Sequence, residues 1–229
     1  MKLRGILFDL DGTLLDLDLD AFLRRYFRAL GQATAPHFPG VDIMPAVLDS
    51  TSAMQRAHPG KTNRQVFSED FRERTGIDVE ANWGVFDDFY RDVFPTLGNG
   101  YGPVQGAREA IAQARKLGLK VAVATQPIFP AAAIMHRLAW AGLSDVAFDA
   151  VTSYETMVAC KPLPAYFEQT AAMIGCAARE CLMVGDDRGM DMPAAAVGMR
   201  TFYVGTDTKA PADHRGTMAD LTALLVRLT

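Results

Sequence analysis

The chain opens on a short apolar run, Leu3 to Phe8, that stops abruptly at two carboxylates one residue apart, Asp9 and Asp11, followed by Gly12, Thr13 and Leu14. An apolar run this short, ending in charge, predicts a buried parallel strand whose carboxyl end opens onto a ligand crevice. The pattern then changes period. Leu19, Phe22, Leu23, Tyr26, Phe27 and Leu30 recur at helical spacing, and Gly31 ends the run. Weaker helical patterns cover 46–57 and 63–75, the second closed by Gly76. Trp83, Phe86, Phe89, Tyr90, Val93 and Phe94 make another apolar face. No strand pattern occurs between Leu15 and Phe94, so this segment reads as an all-helical insert, with the Gly- and Pro-containing stretch Pro95 to Pro103 as the linker out of it.

From there strands and helices alternate. Ala107, Ala110, Ile111, Ala114 and Leu117 predict a helix stopped by Gly118. Strands are predicted at 119–124, 148–152, 181–184 and 201–204, with helices at 130–141, 164–174 and 192–197 between them. Thr217 and Asp220 resemble a capping box ahead of Leu221, Leu224, Leu225 and Leu228. Such alternation means a parallel sheet covered on both faces. The fold class is therefore α/β, with residues 1–15 and 99–229 as the sheet-based core and 16–98 as a helical domain inserted into it.

Composition narrows the function classes. A hydrophobic share of 49% over 229 residues supports a substantial core. The net charge of -4 and a pI of about 5.6 offer no basic face for nucleic acid. Cys160, Cys176 and Cys181 are odd in number and lack zinc-site spacing, so they read as buried free thiols in a reducing compartment. No leader pattern and no apolar run of membrane-spanning length is found, and a cytoplasmic location without membrane partners is expected.

The chemistry gathers where strands end. Two carboxylates at a buried strand end are costly unless a cation joins them, which makes Asp9 and Asp11 candidates for a magnesium site. Asp-Gly is also a hairpin signal, but Asp16, Asp18 and Asp20 crowd the segment that would be the partner strand. A calcium loop fails as well: counting from Asp9 puts Leu14 at the glycine position and Asp20 at the final glutamate position, and counting from Asp16 puts Ala21 and Phe27 there. Thr125 follows a second predicted strand. Asp186 and Asp187 follow a third, with Asp191 shortly after, and Lys161 lies in the loop ahead of a helix. Each has a bland reading: a turn hydroxyl for Thr125, a solvated side chain for Lys161, helix caps near Met192 for Asp187 and Asp191. Their joint placement at strand ends instead describes one site for a divalent cation and an anion.

In this order, Asp9-Leu10-Asp11-Gly12-Thr13-Leu14, Thr125, Lys161 with Pro162, and Gly185-Asp186-Asp187 through Asp191 resemble the four motifs of the haloacid dehalogenase-like hydrolases. The resemblance covers 1–15 and about 101–204. It implies a Rossmann-like core with a mobile helical cap placed between the first and second motifs, and a phosphatase as the class of enzyme. It further implies that Asp9 attacks phosphorus to form an aspartyl phosphate, and that Asp11 protonates the leaving oxygen and later helps water attack. Mg²⁺ held by Asp9, the Asp11 backbone carbonyl and Asp186 would screen the repulsion between nucleophile and phosphate. Gly12, Thr125, Gln126 and Lys161 would bind the phosphate, and Asp187 and Asp191 would support, Asp191 by orienting Lys161 or water.

Two positions depart from the family pattern: Gln126 stands where Asn is common, and Cys160 where Gly is common. A haloacid dehalogenase needs neither the second aspartate nor magnesium, so Asp11 weighs against that activity. A phosphomutase and a non-catalytic phosphate-ligand binder stay open, and a phosphonate hydrolase would require Lys61 to form an imine. The expected partner is a small phosphorylated metabolite, with the chain a monomer or homodimer. Specificity is expected from the insert, where Arg24, Arg25, Arg28, His37, His58 and Arg64 offer polar contacts.

Overall fold

In the computed structural model, which describes residues 2–228, the opening apolar run becomes β1 (Gly5–Phe8), buried along its whole length. The chain continues through β2 (Leu15–Asp16), α1 (Leu19–Thr34), α2 (Met44–Met54), α3 (Asn63–Thr75) and α4 (Trp83–Asp88), then a π-helical turn at Phe89–Val93 and a 3₁₀ turn at Phe94–Gly98. It returns through β3 (Gly102–Pro103) to α5 (Ala107–Lys116), β4 (Lys120–Val123), α6 (Ala131–Trp140), β5 (Ala150–Val151) and α7 (Pro164–Met173). A 3₁₀ turn (Ala178–Glu180), β6 (Cys181–Gly185), a second 3₁₀ stretch (Met192–Val197), β7 (Arg200–Tyr203), β8 (His214–Arg215) and α8 (Met218–Leu228) complete it.

The sheet order is β5-β4-β1-β6-β7-β8, and every pairing is parallel. The chain therefore builds outward from β1 in both directions, which makes the carboxyl edge of β1 the topological switch point where such sheets bind ligands. The pleat divides the side chains between two apolar layers. Ile6, Phe8, Val121, Val123, Leu182 and Val184 face α5, α6 and α8, while Leu7, Ala122, Cys181 and Met183 face α7. The first layer continues without a break into the insert, through Phe22, Tyr26, Phe86, Phe89 and Phe94. Tyr26 meets Phe129 of the core at 5.2 Å between ring centres, and Phe94 stacks on Trp140 at 5.3 Å. Insert and sheet thus share one apolar core.

Local signals account for most boundaries. Thr62 and Gln65 form a complete capping box on α3, and Gly76 closes it at φ 71°. The Thr217 and Asp220 box ahead of α8 is present, with the Asp220 amide donating to the Thr217 hydroxyl at 3.2 Å. Four expectations need correction. α1 runs through Gly31 to Thr34, because burial of Leu30 and Thr34 outweighs a glycine penalty of about 1 kcal/mol. The region after Leu15 does contain a strand: β2 pairs antiparallel with β3, so the linker stretch is a short helix followed by half of a two-stranded ribbon. Residues 192–197 form a 3₁₀ helix rather than an α-helix. β8 is an additional edge strand, two residues long and so without a readable alternation.

Candidate active site

Three neighbouring strands deliver the site. The Asp9 amide extends the ladder beyond β1 by donating to Val184 at 2.9 Å, and the Ala124 amide does the same from β4 by donating to Phe8 at 2.7 Å. Because β4, β1 and β6 lie side by side, Thr125, Asp9 and Asp186 emerge together at the carboxyl edge. They line a cleft of about 290 Å³ with Asp11, Gly12, Gln126, Lys161, Asp187 and Asp191. All nine residues singled out from sequence are thus gathered around one cavity. Thr125 is held from behind, its carbonyl accepting from Tyr166 at 2.8 Å and from Thr152 at 2.9 Å.

Lys161 is only 2% exposed, and its ammonium donates to Asp9 Oδ1 at 2.7 Å and Asp191 Oδ1 at 2.6 Å. A solvated loop lysine would show neither feature. Burial works against its charge, but Asp191 and Asp9 outweigh that and raise its pKa. The other oxygen of Asp191 accepts the Asp187 amide at 3.0 Å, so both of its oxygens are engaged. Gly185 makes this possible, since a Cβ there would run into the Asp191 carboxylate.

Asp186 accepts from the Thr13 hydroxyl at 2.8 Å through Oδ1. Burial, and then the neighbouring Asp9, push its pKa up to about 6. Gly12 sits at φ 80°, and a Cβ on it would collide with the Asp186 carboxylate. Glycine is required there twice over, by backbone conformation and by space. Asp187 is exposed and spends its Oδ1 on the amides of Gly189 at 2.7 Å and Met190 at 3.0 Å, which shapes the turn after β6.

The two departures from the family pattern have structural counterparts. The Gln126 amide group pairs with the Lys161 backbone in both directions, accepting its N–H at 2.9 Å and donating to its C=O at 3.2 Å. This joins the loops that carry Thr125 and Lys161. The Cys160 thiol is buried against the insert, where it accepts from Asn63 Nδ2 at 3.3 Å.

Two residues of the site were not singled out from sequence. Arg137, 1% exposed, donates from α6 to Asp11 Oδ2. Its signal was present, because it shares the inward face of α6 with Ala133, Ile134 and Leu138, an unusual place for a charge. Burial raises the Asp11 pKa, and Arg137 pulls against it. Asn63, fully buried at the start of α3, donates to the Pro127 carbonyl at 2.9 Å and so ties the insert to the loop after Thr125. In contrast, the polar candidates of the insert do not line the cleft. Arg24, Arg28 and His37 are exposed, Arg25 donates to the Leu97 carbonyl, Arg64 pairs with Glu80, and His58 bonds backbone oxygens of Met54 and Lys61. Lys61 pairs with Glu69 outside the cleft.

The donor set fits a hard divalent cation. Carboxylate oxygens of Asp9, Asp186 and Asp191 lie within 4.8 Å of one another. Lys161 and Thr13 take one oxygen each of Asp9 and Asp186, and the second oxygen of each has no side-chain donor among the described residues. Both oxygens of Asp191 are engaged, Oδ1 by Lys161 and Oδ2 by the Asp187 amide.

Comparison with known proteins agrees with this geometry. The model of the haloacid dehalogenase-like hydrolase family matches residues 3–198. Over 135 residues, 59% of this chain, the sequence is 32% identical to Protein SUPPRESSOR OF QUENCHING 1, chloroplastic, of Arabidopsis thaliana, and it spans only 12% of that protein's length. In fold it resembles a phosphatase of this family from Thermococcus onnurineus, with a TM-score of 0.60 at 19% identity over 97% of this chain and 98% of the other. It resembles an L-2-haloacid dehalogenase about as well, with a TM-score of 0.57 at 18% identity over 99% of this chain and 100% of the other. With its family model matched across both sheet and insert, this chain belongs to the haloacid dehalogenase-like hydrolases and is an enzyme, a hydrolase.

Proposed function

We propose that this hydrolase is a magnesium-dependent phosphatase acting on a small phosphate monoester through an aspartyl phosphate on Asp9. The observation that carries the reading is the charge balance of the cleft. Four carboxylates, Asp9, Asp11, Asp186 and Asp191, meet two cations, Lys161 and Arg137, and Arg137 is spent on Asp11. A phosphate dianion would be repelled by such a site without a further cation. Asp9 and Asp186, with the Asp11 backbone carbonyl, would hold Mg²⁺, which supplies the positive charge that lets an anionic nucleophile meet an anionic phosphate. Lys161 sits against Asp9 and would neutralise a phosphoryl oxygen, while the Thr125 hydroxyl and the Gly12 backbone would orient the group. One carboxylate oxygen of Asp9 would make the attack while the carboxylate also helps to hold the cation. Asp11, two residues on, would give its proton to the departing oxygen and take one from the attacking water. A buried carboxyl with a raised pKa suits that exchange.

The dehalogenase-like neighbour shares the fold, so the two chemistries must be separated by site and assay. Asp11 and the Asp9–Asp186 pair favour phosphoryl transfer. We assign residues 16–98 as the cap and 1–15 with 99–229 as the catalytic core. Three buried free thiols suit a reducing compartment, in keeping with cytoplasmic action on a soluble metabolite. Among the described residues, no helix is long and apolar enough to cross a membrane.

The deciding experiment measures orthophosphate release from p-nitrophenyl phosphate and chloride release from 2-chloropropionate, each with EDTA and with Mg²⁺. Phosphate release that requires Mg²⁺ and disappears in Asp9→Asn is expected. Metal-independent chloride release would assign the enzyme to dehalogenation.

A further inference from the structure

Besides its carboxylates and Lys161, the cleft is lined by Leu17, Leu19, Gln55, Ile128 and Met190. Leu17 and Leu19 lie where the chain enters the insert, Gln55 caps the end of α2, Ile128 follows Thr125, and Met190 follows β6. Four of these side chains are apolar and the fifth is an uncharged amide. Among the described residues lining the cleft, Lys161 is the sole cationic side chain, and Asp9 and Asp191 already engage it. The exposed carboxylate of Asp187 adds negative charge to the rim. Ile128 also lines a second, smaller cavity of about 40 Å³ with Tyr26, Phe67, Trp83 and Tyr90, which extends the apolar character of this lining.

Resting on the phosphatase reading, we infer that the enzyme takes monoesters whose leaving group is small, uncharged and partly apolar, and discriminates against esters that carry a second anionic group. The cavity lies near the lower end of small-molecule sites, which run from roughly 300 to 1,000 Å³, and the phosphoryl group occupies part of it. An alkyl or aryl leaving group would bury its carbon against Leu17, Leu19, Ile128 and Met190, with Gln55 free to bond a hydroxyl or carbonyl. A carboxylate or second phosphate at the same place would lose part of its hydration with no cation lining the cleft to replace it. No arginine of the insert is among the described residues lining the cleft, and two of them are engaged elsewhere, Arg25 by the Leu97 carbonyl and Arg64 by Glu80. A site that leaves a buried charge unpaired rejects it far more strongly than an apolar wall rejects a missing methylene.

The test compares kcat/KM for propyl phosphate and phosphoglycolate, similar in size but differing by a carboxylate, using the full chain with Mg²⁺. Propyl phosphate should be favoured by at least roughly a hundredfold. If turnover of both is slow, their inhibition constants against p-nitrophenyl phosphate give the same ratio. Gln55→Arg, an exposed position at the end of α2, places a cation beside these apolar residues and should narrow the ratio by roughly tenfold. Equal or better use of phosphoglycolate by the wild type would overturn the inference while leaving the phosphatase reading intact. A ratio unmoved by Gln55→Arg would overturn the placement of the leaving group. Phosphate release from none of the three esters would instead overturn the phosphatase reading, and this inference with it.

Discussion

Arg137, buried in α6, and Asp11, half-buried in the loop that follows β1 and 126 residues away in sequence, form an ion pair. The guanidinium also lies over the Phe129 ring, 4.7 Å from its centre. Its Nε and Nη2, and the Oδ1 of Asp11, are buried without a hydrogen-bond partner among the described residues. The pair is therefore held by a single contact, and neither member is well placed to lose the other.

Removing Arg137 should leave the half-buried Asp11 carboxylate without its partner. Arg137→Leu is expected to destabilise the fold by about 3–5 kcal/mol in urea unfolding at neutral pH. In the Arg137→Leu background, Asp11→Asn should recover part of that loss, because the uncompensated charge is gone. Simple additivity of the two substitutions would show that they are not coupled.

Lys161 stands between two buried carboxylates, so its removal has two consequences. Lys161→Ala should lower kcat by roughly a hundredfold to a thousandfold, as expected for a cation facing a transferring phosphoryl group. It should also lower stability, more at pH 7 than at pH 5, because Asp9 and Asp191 then repel each other without a counter-charge. An unchanged single-turnover rate would remove Lys161 from the chemistry.

The Asp186 pKa, raised to about 6, gives stability a definite sign with pH. A carboxyl raised above its unfolded value favours folding when protonated, and that contribution is lost as pH climbs from about 4 through 6. In EDTA the melting temperature should therefore fall across this window. If Asp186 holds Mg²⁺ as proposed, the ion would bind its ionised form and should raise the melting temperature more at pH 7 than at pH 5. A magnesium shift independent of pH would place the ion away from Asp186.

Asn63 joins the insert to the loops that carry Thr125 and Lys161. Asn63→Leu keeps the bulk but removes the donor to the Pro127 carbonyl, which should cost about 1–3 kcal/mol. Cys160 is fully buried behind Asn63, and burial pushes its thiol pKa up to about 12. Loosening this contact should make Cys160 react faster with a thiol reagent, read by mass spectrometry of the labelled peptide. Unchanged labelling would mean that Asn63 does not restrain the insert.

What the linear order determined was the chemistry at each strand end. Leu3 to Phe8 is apolar until the strand leaves the core, so Asp9 and Asp11 had to lie at its carboxyl edge. The same reasoning placed Thr125 after β4 and Asp186 after β6. Local signals with a fixed geometry were equally legible: the Thr62 box, Gly76, and the Thr217 box each act within a few residues. The shared cleft followed from these ends once the strands were known to be parallel.

Only the tertiary structure decided which side chains meet. The two-residue strands β2 and β3 exist because they pair with each other, and neither carries a period of its own. Arg137 stood on the apolar face of α6, but nothing in the sequence named its partner until α6 packed against the loop of Asp11. Gln126 and Cys160 read as departures from a motif, yet they contact the Lys161 backbone and Asn63 across 35 and 97 residues. The arginines of the insert were plausible substrate contacts by type, but α1 turns Phe22, Tyr26 and Leu30 inward and leaves Arg24, Arg25 and Arg28 on the outside. Hydrophobic periodicity states which face of an element is buried. It carries no information about which distant partner covers that face, because that depends on how separately formed elements pack.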